Sequence, residues 1–499
     1  MSSAVVISFI VYSVLIFTVG IISAVRSKHT HEDFLVAGRE GGGWVSGLSA
    51  SASSESAWVT LGLVGEAYLL GLEVLWVIPG CLAGYVFNWL FVAERMRRVT
   101  RKTGAVSVAD FLTARFPAGG SVIRILASLI MVIALTPYIC GQLDGSSKIF
   151  SMMFGVEFWV GVLVALGFVL FYVVTGGFRA IAWTDFGQAI LMVLGLVAMP
   201  IVLIAHVGGP EAVYNNLKLS DPKLVSLFSN KTFIWGGLGL MLGHLGIGLG
   251  YPGMPHVLMR FIAAKDSRAI RTGGVVSFIW GFLVFTGAIL AGLSARCLLP
   301  ECEVGYGAQL SLPIAAVTYL PGALAGIAIA AIFAAICSTA DSQLLVASTS
   351  ISHDLYKQVL HKRGRQPSHR HLLLVNRLCI LLIVAAAALL ALGGQKRLFD
   401  YILSNAWAIL GAAFGPIVVL GLLWRRVGTV AAVTCMVTGA GSAVIWGSAP
   451  ALQGGLKNWV AAPIIALILT VLATLIFPAG RPYRGPVGTT GNASPPTPS

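Results

Sequence analysis

Charge is what this sequence has least of. Asp, Glu, Lys and Arg make up 10% of its 499 residues, too few to give a domain of this size a solvated surface, which excludes a water-soluble globular fold. Acidic residues are the scarcer kind, 19 against 33 Lys and Arg, for a formal net charge of +14. Cysteine is thin and scattered. Of seven, those at 81, 140, 337, 379 and 435 fall in or near apolar runs, where they act as small apolar residues, and no Cys or His spacing makes a metal site. Cys297 and Cys302 flank a short predicted external loop, where they read either as a disulfide or as two free thiols. No nucleophile and base converge, so the chain is not expected to be an enzyme.

What fills the sequence instead is apolar: 57% of residues are hydrophobic and the mean hydropathy is +0.88. Such a chain needs lipid as its solvent, and the sequence predicts an all-α integral membrane protein. About thirteen apolar runs are long enough to cross a hydrocarbon core of about 30 Å, from 4–26 to 458–478. The ninth, 311–346, exceeds one crossing and predicts tilt or a break. With the N-terminus outside and the C-terminus inside, 25 of the 33 basic residues fall in inside loops, among them "ERMRRVTRKTG" and "RFIAAKDSRAIR". The basic excess is therefore a topology signal, not a nucleic-acid footprint. The Pro, Gly, Ser and Thr-rich segment 481–499 predicts a disordered cytoplasmic tail, with no kinase-like module behind it.

Two spans are too polar or too broken to be plain helices. The second, 45–69, contains "SGLSASASSESAWVT". Serine in a span has two readings, close helix packing and local unwinding, and Glu55 among the serines favours the second, because an ionisable group at that depth needs a partner, a cavity or an ion. The seventh, 233–255, reads "WGGLGLMLGHLGIGLGYPGMPH", crowded with glycine and interrupted by Pro252 and Pro255. No strand precedes its GxGxG, which excludes a nucleotide loop. The two spans lie five helices apart, an odd offset that gives them opposite directions, as in inverted five-helix repeats with a site where both helices break. A third stretch, "AAICSTADSQLLVAST", sets Ser338, Thr339, Asp341 and Ser342 after an apolar run. The first two hydroxyls with the Ala335 carbonyl make either a compact oxygen site for an alkali cation or ordinary back-bonds to the preceding turn.

The stretches "FLVAGRE", "GLSASASSESAW", "SVADFLTARF", "GGFRAIAWTDFGQAILM", "GLGYPGMPHVLMRFIAAKDS", "AAICSTADSQLLVASTSISHDLYK" and "AWAILGAAFGPIVVL" run in order from about residue 30 to 445. In them the chain resembles the sodium/solute symporter family, most of all its proline-transporting branch. The resemblance implies a LeuT-type core of inverted five-helix repeats in the cell (inner, cytoplasmic) membrane, with one helix before it and two after. Residues 1–44 would hold the first helix and an inner loop, 45–230 and 231–425 the two repeats, 426–480 the two extra helices and 481–499 the tail. The activity implied is symport of a small zwitterionic solute, L-proline foremost, with Na+. Other coupled solutes, a proton as driving ion, or a transporter-like sensor are the competing readings; the polar residues gather at two breaks instead of in a pore ring, which disfavours a channel.

Carried over residue by residue, the family's sodium site falls on the carbonyls of Ala52, Glu55 and Ala335 and the hydroxyls of Ser338 and Thr339. Its solute contacts fall on Ser56, Trp58, Tyr138 and Tyr251. Asp185 matches an acid on the inner sodium path, while its position alone also suits a helix N-cap. Two departures stand out. Ser54 replaces an acid of the proline branch with Glu55 as its neighbour, about 100° away on a helix, so the carboxylate reaches the old place only if the helix unwinds. It either substitutes for that acid or meets a cationic part of another solute. Ile247 replaces a tryptophan one turn before Tyr251. His244, one turn earlier still, reads as a neutral hydrogen-bonded residue before a ligand. Elsewhere, Gln142, Asp144 and Lys148 share a helix face near a predicted outer entry, with an i,i+4 ion pair between the last two. Glu66 and Glu73 are expected to be solvated, and Arg39 to lie near the inner face.

Overall fold

The computed structural model describes residues 3–26, 30–229, 236–303, 307–394, 397–453 and 455–479; the predicted tail 481–499 lies outside them. The secondary structure is helical throughout, with one isolated parallel bridge between Gly41 and Ala264 among the described residues. That outcome follows from the medium: a lipid-embedded chain must satisfy every backbone N–H and C=O within itself, and a helix does so locally. Ten helices among the described residues are long and apolar enough to cross a membrane. Leucines and isoleucines on their outer faces, such as Leu382, Leu389 and Ile445, are exposed.

In chain order, α1 spans Ser3–Val25, α2 Gly43–Ser54, α3 Val64–Leu70, α4 Val77–Phe87, α5 Glu94–Thr103, α6 Val108–Arg115 and α7 Gly120–Phe154. Further along are α8 at Phe158–Val207, α9 at Leu238–Leu245, α10 at Pro255–Ala263 and α11 at Ser267–Leu298, while shorter helices, His31–Val36 and Pro210–Ser220 among them, lie in the connections. The last six are α12 at Gly307–Tyr319, α13 at Gly322–Thr349, α14 at His369–Ala391, α15 at Ala408–Leu423, α16 at Thr429–Gly447 and α17 at Asn458–Ile476. The long ninth apolar run is split at Leu320–Pro321 into α12 and α13. At 50 residues α8 is too long for one crossing, and it turns at Gly177 (φ 57, ψ −155), a conformation open to glycine. A Cβ there would also stand 2.6 Å from Phe34.

At the centre α2 and α8 pack against each other, α11 and α13 each pack against both of them, and α1 is laid across α8 and α13. At the far side α15, α16 and α17 form a second group that holds the 246–253 segment. Glycine sets the closest seams. A Cβ on Gly47 would meet the Gly273 carbonyl at 2.7 Å, and one on Gly248 would meet the Gly80 carbonyl at 2.1 Å. The backbone of α4 therefore touches the 246–253 segment directly.

Gly248→Val is expected to destabilise the fold by about 1–3 kcal/mol through overpacking of that seam. Thermal unfolding in detergent checks this; an unchanged midpoint would show that the two backbones do not bear on each other.

Candidate functional site

The helix α2 stops at Ser54, and Glu55 takes non-helical angles (φ −101, ψ 88) before the chain winds again as a wide π-helical turn, Trp58–Leu63. Serines favour such a stop because their hydroxyls compete for backbone partners. The groups freed by the break are met from elsewhere. Ser338 Oγ donates to the carbonyl of Ala52 at 2.9 Å and lies 3.1 Å from that of Ala335; Thr339 Oγ1 stands 3.4 and 3.1 Å from the same two oxygens. Ala52, Ala335, Ser338 and Thr339 thus form one compact oxygen cluster, fully buried. On the other side of the break, the Ala57 N–H donates to Gln142 Oε1 at 3.1 Å, and Gln142 Nε2 donates to Ser56 Oγ at 3.2 Å.

The second interrupted segment runs from α9 through a 3₁₀ stretch, Gly246–Gly253, into α10. It brings Tyr251 to Glu55. The Glu55 Oε1 accepts from Tyr251 and Tyr85, each at 2.7 Å, and from Ser54 at 3.0 Å, while its Oε2 is buried without a hydrogen bond. Trp407 donates to the Ile247 carbonyl at 2.9 Å, and its ring stands edge-on to Tyr251 at 4.9 Å. An indole from α15's approach thus covers the tyrosine at the level where residue 247 is isoleucine. Trp58 donates to the Ser54 carbonyl at 2.9 Å and packs near Trp407, Phe399 and Phe285, about 6 Å from each. Ser56, Trp58, Tyr138 and Tyr251 all line this break and are buried. Tyr138 faces His256 edge-on at 6.0 Å and passes its carbonyl to Gln142.

Toward the basic face lies a second polar centre. Asp185 sits inside α8, fully buried, and is not a helix cap. Its Oδ2 accepts from Ser49 at 2.6 Å and from Arg260 at 2.8 Å. Arg260 also reaches Ser342 at 2.5 Å and the His256 carbonyl at 2.6 Å, with Phe178 beneath its guanidinium. One side chain thereby ties α2, α8, α10 and α13 together. Sequence reading counted Arg260 among the basic loop residues; the structure buries it at 2% exposure. A charge so placed requires a counter-charge and several hydrogen bonds, and it has both.

The expectation that Glu66 and Glu73 are solvated is corrected. Glu66 and Glu73 are buried, and Glu66 pairs with Arg397, which also lies 3.5 Å from Asp400. With Lys457 and His244 they line a cavity of about 420 Å³ at the opposite end from the basic loops. Cys297 and Cys302 are free thiols. Asp144 and Lys148 form the i,i+4 pair at 2.6 Å, inside the bundle, whereas Gln142 belongs to the break and not to an entry path. Arg39 is buried and binds Glu32 and the Ala105 carbonyl. Tyr85, Arg260 and Trp407 were not singled out as site residues from sequence, and Gln142 was placed near an entry instead of at the break. A polar Gln at mid-span and an arginine at the end of an interrupted span were the available signals.

Two interrupted helices facing each other across a buried, aromatic-walled centre, on a bundle with this chain order, define a secondary transporter of the LeuT type. The model of the Sodium:solute symporter family matches residues 34–439, and the chain belongs to that family. It is 30% identical over 490 residues to an osmoregulated proline transporter of Bacillus subtilis, covering 97% of each chain. To the sodium/proline symporter of Escherichia coli it is 31% identical over 452 residues, 89% of this chain and 88% of that one. In three dimensions it superposes on a Na+-coupled sialic acid symporter with a TM-score of 0.79 at 20% identity, over 95% and 98% of the two chains, a likeness of fold. The protein is a multi-pass membrane transporter, not an enzyme.

Arg260→Met strands the Asp185 carboxylate and is expected to cost about 3–5 kcal/mol of stability. Adding Asp185→Asn should recover a substantial part, a coupling that a double-mutant cycle on thermal unfolding measures. Additive losses would mean that the two groups do not act on each other.

Proposed function

We propose that the chain takes up a small zwitterionic solute, L-proline foremost, with Na+ as co-transported ion, by alternating access. The observation that carries the reading is the oxygen cluster at the first break, where Ser338 and Thr339 stand against the carbonyls of Ala52 and Ala335. Four neutral oxygens this close suit a hard monovalent cation without an attendant anion. With the hydroxyl protons rotated outward, the carbonyls of Ala52, Glu55 and Ala335 and the two hydroxyls would hold sodium. The ion would tie α2 to α13 at the point where α2 is unwound, so that its arrival orders the break. The 30% and 31% identity to proline carriers supports proline as the solute.

The solute would lie between Ser56, Trp58, Tyr138 and Tyr251, aromatic faces against the ring and freed backbone amides toward the carboxylate. The Glu55 carboxylate meets the condition set by the Ser54 replacement: the helix is unwound there, and Ser54 Oγ lies 3.0 Å from Oε1. This favours Glu55 as the substitute for the acid of the proline branch. Asp185 would serve the inner ion path once Arg260 swings aside, since the guanidinium now occupies it. The topology proposed is N-terminus outside and basic loops inside, with inverted repeats at 45–230 and 231–425.

Ser338→Ala and Thr339→Ala each remove an oxygen from the cation. Each is expected to raise the sodium concentration for half-maximal proline uptake into proteoliposomes about tenfold or more, the equivalent of about 1.4 kcal/mol. Unchanged sodium dependence in both would overturn the assignment. Glu55→Gln is expected to weaken sodium coupling of uptake. Wild-type uptake in that variant would leave the side chain a structural link to the two tyrosines.

A further inference from the structure

On the basic face, well away from both breaks, a histidine and two carboxylates converge. Asp110 lies in the first turn of α6, and His353 and Asp354 lie in the π-helical stretch Ser350–Lys357 that follows α13. His353 Nε2 stands 2.9 Å from Asp110 Oδ2 and 4.0 Å from Asp354 Oδ1. One ligand atom from each of the three residues falls within 4.8 Å of the others. A tetrahedral zinc holds N and O ligands at about 2.0–2.1 Å, which sets neighbouring ligands about 3.3 Å apart. The three groups bracket that spacing, and shifts of about 1 Å would bring them to it.

The surrounding groups orient the ligands. Ser107 donates to Asp354 Oδ1 at 2.7 Å, the Val106 N–H donates to Asp110 Oδ2 at 3.3 Å, and Arg124 donates to Asp110 Oδ1 at 2.6 Å and lies 3.4 Å from Asp354 Oδ1, so both carboxylates are held in place by neighbours. Asp354 Oδ2 is buried with no hydrogen-bond partner, in a residue only 1% exposed. A cavity of about 640 Å³, lined by Glu32, Gly104, Asp110, Arg124, His353 and Lys357, reaches the cluster and leaves room for a water as fourth ligand.

We propose that Asp110, His353 and Asp354 form a binding site for a divalent transition-metal ion of the zinc type. The metal takes Asp110 Oδ2, His353 Nε2, Asp354 Oδ1 and a water; the proton on His353 Nε2 moves to Nδ1 when the ring is neutral, or leaves to solvent when both nitrogens are protonated, so that a neutral imidazole is the ligand. Carried guanidinium charge from Arg124 stays on Asp110 Oδ1, as an outer partner that fixes the ligand's orientation. Nitrogen in the ligand set favours Zn2+ or Ni2+ over Mg2+. Since α6 lies in the link between α5 and α7, the metal pins that link to the end of α13.

The test is calorimetric titration of the purified, chelator-stripped full chain in detergent with ZnCl2, then with MgCl2. One zinc per chain is expected, with at least tenfold weaker binding in His353→Gln and in Asp354→Asn, and no comparable uptake of magnesium. Absence of saturable zinc binding, or equal binding by the wild type and both variants, would overturn the site. The two substitutions preserve side-chain size, and unchanged thermal unfolding of the metal-free variants establishes that they are folded. The readout needs no solute, so it stands apart from the question of what is transported.

Discussion

Everything at the centre of this molecule follows from one constraint: in hydrocarbon, a backbone group released from a helix must find its partner inside the protein. A continuous helix meets that demand by itself, and this chain breaks two of them. Each break is then completed by side chains from other helices. Gln142 takes the Ala57 N–H, the hydroxyls of Ser338 and Thr339 take the Ala52 carbonyl, and Trp407 takes that of Ile247. These substitute bonds are what make the breaks a site. A hydroxyl that satisfies a carbonyl can turn to a cation, whereas a helical N–H cannot leave without undoing a turn.

Charge obeys the same economy. Glu55 is held by two phenols and a serine, and Asp185 by a guanidinium and a serine. Arg260 in particular makes four helices depend on one another, so a change at the solute end and a change at the basic face share a common element. Such a buried pair adds little net stability over an apolar replacement, but removing one member strands the other. That asymmetry fixes relative positions more strongly than it fixes energy.

Much of this was legible in the sequence. Composition gave the medium, the loops gave the charge bias, and glycine, proline and serine gave both interruptions, because each of those signals is local. The cluster of Ser338 and Thr339 with Ala52 was legible only through resemblance, since it joins residues 286 and 287 positions apart. Long-range pairings escaped. Arg260 looked like a loop residue because it follows an interrupted span, and only its packing shows that the chain stays inside for another turn and a half. Glu66 looked solvated because a turn follows it, yet Arg397, over three hundred positions away, closes on it. Asp110 and His353 carried no signal at all, being separated by 243 positions and joined only by the fold.

The seam between α4 and the 246–253 segment differs in kind from the rest of the interior. Elsewhere, side chains interlock, and moving one helix past another means lifting ridges out of grooves. Here the backbone of Gly80 and Gly84 lies against the backbone of Leu245 and Gly248, and the side chains that cross the seam, Tyr85 edge-on to Tyr251, converge on Glu55. With glycine on both sides there is little else to unlock, so the hold between α4 and the second interrupted helix is concentrated in two phenols and one carboxylate. A change at Glu55 is therefore felt by both interrupted helices and by α4 at once.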